Sequence, residues 1–189
     1  SDVGGTRTTA AQQFAEVLGI SADDVRPQVG DTDSVGYSSG AGGSGVTFKT
    51  GWAAYEAAQD VKRQLIARAA AIWETDEDQV EYVDGVIRHK SDSELRTTLK
   101  ELAPTLNTTG GPIVGRATVN PRAMGDNLSV HVVDVQVDPE TGKVDLLRYT
   151  AVQDVGKAIH PGYVEGPIQG GAVQVIGCLL YPADAAPEG

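Results

Sequence analysis

The segment best suited to chemistry is Gly40-Ala41-Gly42-Gly43-Ser44-Gly45. Its spacing satisfies G-x-G-x-x-G and it leads into a long apolar-periodic stretch, so backbone amides and a helix N-terminus could cradle a phosphate there. A dinucleotide-binding turn needs more, namely a strand feeding the glycines and an acidic residue at a second strand end about 20 positions on. No strand pattern runs into Gly40, and the acidic position falls inside the same helix. The residues also fit a flexible surface loop in which glycine serves only backbone freedom. The three histidines, His89, His131 and His160, are far apart and lack the i,i+4 spacing of a metal site. His131 shares a strand face with valines, which reads as a satisfied core histidine rather than a ligand or base. No carboxylate pair declares itself as acid and base, and 17 of the 26 Asp and Glu precede Thr105. Those read as solvated faces or caps, with most of the negative charge in the first part of the chain.

The elements that must hold the glycine loop follow from apolar spacing. Thr8 to Leu18 carries Ala11, Phe14, Ala15 and Leu18 at helical intervals, with Gly19 placed to end the helix. Val25 to Val29 reads as a brief strand. From Gly51 to Trp73, Ala54, Ala58, Val61, Leu65, Ala69 and Ile72 recur at spacings of three and four, predicting a long helix packed on a sheet. Val80 to Val83 and Val86 to Lys90 flank Asp84-Gly85, a strong tight-hairpin signal. Ser91 or Ser93 can cap a helix running to Leu102, and Thr105 to Pro112 suits a connector between lobes. Leu128 to Asp138, with His131, Val133, Val135 and Val137 on one face, turns at Pro139-Glu140-Thr141-Gly142 and returns over Lys143 to Gln153. Val164 to Leu180 reads as a glycine-spotted helix that tolerates Pro167 only in its first turn. The expected fold is α+β, with lobes of mixed or antiparallel sheet and packed helices at 1–110 and 111–189.

The chain has 189 residues, 40% hydrophobic and 22% charged, enough for a sizeable core without staples. Fifteen Lys and Arg against 26 Asp and Glu give −11, which argues against nucleic-acid or anionic-membrane binding, so an anionic ligand must be held locally. The single cysteine, Cys178, excludes an intrachain disulfide framework and a multi-thiolate metal site. No run approaches the roughly 20 apolar residues that span a bilayer, and a cytoplasmic setting is expected. Ser1 opens directly onto Asp2-Val3-Gly4-Gly5-Thr6-Arg7, and the whole reads as an excised piece of a longer protein.

Taken together, several segments carry a resemblance. They are Asp2-Val3-Gly4-Gly5-Thr6-Arg7-Thr8-Thr9, Gly30-Asp31-Thr32-Asp33-Ser34-Val35 leading to Gly42-Gly43-Ser44, and Val132-Val133-Asp134-Val135 with Asp138-Pro139-Glu140-Thr141-Gly142. Gln153-Asp154-Val155-Gly156-Lys157-Ala158-Ile159-His160-Pro161 and Gly170-Gly171-Ala172-Val173-Gln174 complete the set. In this order and spacing, from Asp2 to about Leu180, the chain resembles the molybdopterin-binding large subunit of the xanthine dehydrogenase and aldehyde oxidase family.

The resemblance implies a molybdenum pyranopterin cofactor (molybdopterin, often extended to the cytosine dinucleotide) used to hydroxylate an aldehyde or N-heterocycle with oxygen from water. It implies that Gly42, Gly43 and Ser44 grip the cofactor near its metal end, that Gly4 and Gly5 match an earlier glycine turn, and that Arg7 could add positive charge nearby. It also implies iron–sulfur and FAD partner subunits or domains, and an oligomer in the full-length parent. The family's catalytic glutamate belongs to a segment beyond Gly189, so no catalytic residue is assigned and the piece alone is expected to be inactive. Three positions depart from the pattern. Gly4 and Pro167 stand where many relatives carry glutamine, and Val175 replaces a usual glycine in the last helix. These departures leave a second reading, a degenerate or excised scaffold or assembly module of the same fold without cofactor.

Overall fold

A computed structural model describes residues 4–31, 33–34, 36, 40–41, 45–121 and 126–180. The chain divides into two compact units, Ser1–Met124 and Gly125–Gly189. The division lies later than the 110/111 boundary anticipated, because the segment after the connector stays on the first unit. Gln64 Nε2 donates to the Val114 carbonyl at 2.9 Å, and the Arg116 amide donates to Asp60 Oδ2 at 3.0 Å.

The first unit opens with α1 (Thr6–Leu18) and α2 (Val46–Ile72). Their small residues Ala11, Ala15 and Ala58 are buried, which lets the two helix backbones approach closely. Helix α2 starts at Val46, five residues before the expected start. Gly51 is therefore an interior position, and a Cβ there would collide with the Gln13 side-chain amide. Gly19 ends α1 as expected, in the left-handed region at φ 62. It also abuts the first hairpin, since a Cβ on it would lie 2.6 Å from Asp84 Cα, so only glycine serves both purposes. Tyr82 Oη donates to the Leu18 carbonyl at 2.6 Å beside it, and burial raises the Tyr82 phenol above its usual pKa.

Strands β1 (Val80–Val83), β2 (Val86–His89) and β3 (Arg96–Thr98) form an antiparallel meander in sequence order. Asp84 and Gly85 both take positive φ, 47 and 80, as a tight turn of this hand requires. Ile87 on the inner face is fully buried and packs with Leu65, Ala69, Ala70, Val80 and Leu102. Helix α2 thus lies on a sheet through Leu65, while Ile72, counted on the same seam, is 39% exposed at the helix end.

Two expected elements are corrected here. Val25 to Val29 forms no strand. It follows a 3-10 turn at Ala22–Asp24 and pairs with neither sheet, and Pro27 removes one of the donors a ladder would need. The helix expected from Ser91 or Ser93 to Leu102 is the short α3 (Leu99–Leu102), because Arg96–Thr98 is taken up by β3. Thr98 caps α3 with a reciprocal capping box: Glu101 N donates to Thr98 Oγ1, and Thr98 N donates to Glu101 Oε2. The Thr105 to Pro112 connector begins inside a 3-10 segment, Ala103–Thr108.

In the second unit β4 (Ser129–Val137) and β5 (Val144–Gln153) pair antiparallel, as expected. Asp134 faces Arg148 and Val135 faces Leu146, so Leu147 is an extra residue on β5. That bulge brings Leu146 and Tyr149 to the same side, the side of His131 and Val133. Helix α4 (Pro161–Leu180) follows the loop. His160 sits at its entry, with Nδ1 accepting from the Tyr163 amide at 3.2 Å. Because α4 starts at Pro161, Pro167 falls in its second turn rather than the first, which leaves the Tyr163 carbonyl without its intrahelical donor. Together the units are α+β, as the apolar spacing implied. Among the described residues no helix is long and apolar enough to cross a membrane.

Candidate cofactor-binding site

Of the residues singled out for a ligand, Gly42, Gly43 and Ser44 lie outside the described residues. Gly45 immediately after them precedes α2 and makes no side-chain cap. Lys49 N donates to the Gly45 carbonyl at 2.9 Å, so the amides of Val46, Thr47 and Phe48 have no acceptor within the helix. Gly4 and Gly5 form the turn into α1, where the situation repeats. Thr9 N donates to the Gly5 carbonyl at 3.0 Å, and among the described residues no side chain caps the helix and nothing lies within 4 Å of where a Cβ on Gly5 would stand. Neither helix has an acidic residue in its first turn to occupy its positive end.

These two helix starts belong together. Gln13 meets α2 at Gly51, whereas Leu18 shares the wall of an apolar cavity of about 350 Å³ with Val61 and Leu65. The helices therefore run in the same sense across their contact, with both N-termini at one end of the pair. At the Gly51 contact, Gln13 Oε1 is buried with no hydrogen-bond partner among the described residues. Phe48 and Trp52 lie one turn into α2, edge to face at 5.8 Å and partly exposed. Among the described residues the arrangement offers two helix starts without a side-chain cap and an aromatic pair, and first-turn amides of this kind suit an anionic group.

Further along α2, a cleft of about 370 Å³ is lined by Trp52, Glu56, Arg63, Arg116 and the segment from Ala117 to Asn120. Asp60 organises its edge. Its carboxylate accepts from the Arg116 amide, from Arg63 at 3.0 Å and from Gln64 at 3.0 Å. The Arg116 amide above all holds its carboxyl below the ordinary aspartate range; desolvation opposes it, and the Arg63 and Gln64 hydrogen bonds and the Arg63 charge add to the lowering. Gly115 completes the clamp, because a Cβ there would strike the Ala57 carbonyl and lie 2.5 Å from Val61 Cγ2. Sequence reasoning placed Asp60 on a solvated face. The i,i+3 and i,i+4 partners Arg63 and Gln64 were visible in the spacing, but the decisive donor, Arg116, is 56 residues away.

In the second unit His131 is exposed rather than a core histidine. Each ring nitrogen has a hydroxyl partner, Ser129 Oγ at 2.8 Å from Nε2 and Tyr149 Oη at 2.9 Å from Nδ1. Exposure follows because the β4–β5 sheet is only two strands wide, and its histidine face is partly covered by α4. His131, Tyr149 and Gln153 line a cavity of about 560 Å³ whose far wall is Pro167, Ile168, Gly171, Ala172 and Val175 of α4. Two of the three departures noted above, Pro167 and Val175, thus share one wall. Among the described residues no three His, Cys, Asp or Glu side chains gather as a metal-ligand set.

Comparison with known proteins places these observations. A model of the molybdopterin cofactor-binding domain matches residues 1–183. The chain is 31% identical to the nicotine 6-hydroxylase large subunit of Paenarthrobacter nicotinovorans, over 94% of this chain and 23% of that protein. It is 33% identical to the carbon monoxide dehydrogenase large chain of Afipia carboxidovorans, over 93% of this chain and 22% of that one. Among solved structures, Cu,Mo-CO dehydrogenase superposes with a TM-score of 0.77 at 32% identity, covering 90% of this chain and 22% of that one. Quinoline 2-oxidoreductase from Pseudomonas putida 86 gives 0.65 at 28% identity, over 94% and 23%. The chain spans less than a quarter of the length of these relatives.

Proposed function

Because the chain belongs to the molybdopterin cofactor-binding domain family, we propose that it forms part of the wall around a molybdenum pyranopterin in a larger hydroxylase. The observation that carries this reading is the pair of uncapped, glycine-led helix starts at one end of α1 and α2, at both glycine segments the resemblance assigns to the cofactor. The described residues fit such a group, since first-turn amides with no side-chain cap among them suit a pterin phosphate and no described atom lies within 4 Å of a Cβ built on Gly5. When bound, the cofactor supplies the oxidation of a carbon centre with oxygen taken from water. Gly42 and Gly43 would leave room for the ring system, the Ser44 hydroxyl would donate to it, and the amides of Val46 to Phe48 would hold its anionic end. Gly4 and Gly5 admit it at α1.

The substrate class we assign to the parent is an aldehyde or N-heterocycle. That relatives are a large subunit, a large chain and a dehydrogenase complex subunit supports assembly with further subunits, which we take to carry iron–sulfur and flavin groups because electrons leaving the metal need a relay. The cytosine dinucleotide form of the cofactor is part of the same proposal. A lone exposed thiol, Cys178, supports a reducing, cytoplasmic setting.

Pro167 favours the second reading, a scaffold that keeps the fold and holds no cofactor, because it stands in the second turn of α4 and offers no donor to the adjoining cavity. Metal analysis and pterin release on the purified full-length parent separate the two. The cofactor reading expects about one molybdenum and one pterin per chain, and their absence after expression in a molybdenum-replete host would leave the scaffold.

A further inference from the structure

The outer face of the first unit's small sheet carries a charge arrangement that the cofactor reading does not use. Cross-strand partners share a face, and the register places Glu81 opposite Arg88 and Arg88 opposite Arg96, a row of one carboxylate and two guanidinium groups. Glu81 is committed to Arg88, with Nε at 2.7 Å from Oε1. Arg96 makes no side-chain hydrogen bond or ion pair among the described residues, and it is exposed directly beside a second cation. Like charges directly opposite on neighbouring strands repel. Glu101 feels the Arg96 charge, but no anion touches the Arg96 end of the row among the described residues.

The cleft in which this row lies has a volume of about 570 Å³ and is lined also by Val83, Asp84, Val86, His89, Lys90, Ser91 and Ser93. Most of its other polar groups are occupied. Lys90 Nζ donates to the Asp78 carbonyl at 2.6 Å. His89 Nδ1 accepts from the Asp92 amide at 3.1 Å and faces Ser91 Oγ at 3.3 Å, so its ring proton sits on Nε2, toward Thr75 Oγ1. This histidine pins the turn that presents Ser93, whose hydroxyl has no partner among the described residues. Two unspent donors, the Arg96 guanidinium and the Ser93 hydroxyl, thus face one cleft in a chain whose net charge is −11.

We propose that this cleft binds a compact tetrahedral oxyanion, a phosphate group, between Arg96 and Ser93 with Arg88 contributing charge. A planar guanidinium fork matches two phosphate oxygens, and the anion removes the repulsion between the arginines. The acidic residues near the site, Glu81 and Asp84 in its wall and Asp92, Glu94 and Glu101 beside it, select a small ligand over an extended acidic segment, which they would repel. The site is separate from the helix starts at Gly5 and Gly45, so it stands or falls independently of the cofactor.

The test is calorimetric titration of the full-length protein with inorganic phosphate and, in parallel, glycerol phosphate, against sodium chloride at matched ionic strength. Saturable binding of either phosphate, weakened at least tenfold by Arg96→Gln and several-fold by Arg96→Lys and Ser93→Ala, is the expected result. Tighter binding of the ester assigns the site to a phosphorylated metabolite, and the reverse assigns it to free phosphate. Thermal melts add a crossing signature. Without phosphate Arg96→Gln should melt near wild type, because the repulsion from Arg88 and the attraction to Glu101 are lost together, whereas with phosphate wild type should be clearly the more stable. A response no larger than that to chloride, or equal affinity in wild type and both Arg96 variants, would overturn the proposal.

Discussion

Ile87 and Ile72 provide a matched pair for testing how the first unit is held together. Both are isoleucines near the α2–sheet contact, but Ile87 is 0% exposed and Ile72 is 39% exposed. Replacing either by alanine removes roughly three carbons, worth about 0.8 kcal/mol each in transfer free energy when fully buried. Ile87→Ala therefore loses about 2.4 kcal/mol before any cavity is counted. Because Leu65, Ala69, Ala70, Val80 and Leu102 surround it, incomplete collapse should bring the total to about 3–4 kcal/mol. Ile72→Ala loses about 1.5 kcal/mol on the same arithmetic scaled by burial, with little cavity because the site opens to water. Urea titration of both variants, followed by far-ultraviolet circular dichroism, reads the difference as a larger fall in midpoint for Ile87→Ala. In a thermal melt, at about 2–4 °C per kcal/mol for a chain of this size, Ile87→Ala should lower Tm by about 6–16 °C. Equal costs at the two positions, or a cost below about 1 kcal/mol at Ile87, would refute the placement of the core beneath α2.

Further outcomes follow from the same contacts. Gly115→Val should destabilise the intact chain by about 1–3 kcal/mol in urea titration, because its side chain must displace the Ala57 carbonyl and Val61. Thr98→Ala should cost about 0.5–2 kcal/mol through loss of the α3 cap, with Thr98→Ser restoring most of it. Asp60, Glu101 and Asp138 are each held below the ordinary carboxylate range, foremost by the amides of Arg116, Thr98 and Glu140 respectively. A carboxyl depressed in the folded state stabilises fully above its unfolded pKa, and that contribution is lost as pH falls through its folded value. Stability should therefore fall below about pH 4, and Asp60→Asn should flatten part of that slope in melts taken across pH.

What the sequence made legible was local. The 3.6-residue apolar spacing of α1 and α2, the Asp84-Gly85 turn and the Pro139 to Gly142 turn each contain their own instructions within a few residues, and each formed as expected. Where the outcome depended on distant partners, the reading failed. Val25 to Val29 had strand-like residues but no neighbouring strand to pair with. Ser91 and Ser93 had capping chemistry, yet Arg96–Thr98 paired with β2 and moved the helix start to Thr98. His131 looked like a core residue from its valine neighbours, while its exposure is set by how much of a two-stranded sheet α4 covers. For the candidate site, the glycine segments suggest close approach from residue type alone, as proposed above. Their common end, set by the Gln13–Gly51 crossing, was not legible, because no local pattern encodes the sense in which two helices cross.

The central proposal, that Gly42-Gly43-Ser44 lies against a molybdenum pterin, is tested most directly by the metal and pterin content of the full-length parent carrying Gly43→Val or Ser44→Ala, with thermal stability measured alongside. Gly43→Val should lose most of its molybdenum and pterin while the cofactor-free protein melts near the wild-type apo value. Ser44→Ala should weaken retention by about tenfold or less, the loss of one hydrogen bond worth about 1 kcal/mol. Full molybdenum and pterin in Gly43→Val would contradict the account and leave the segment a connector in a scaffold.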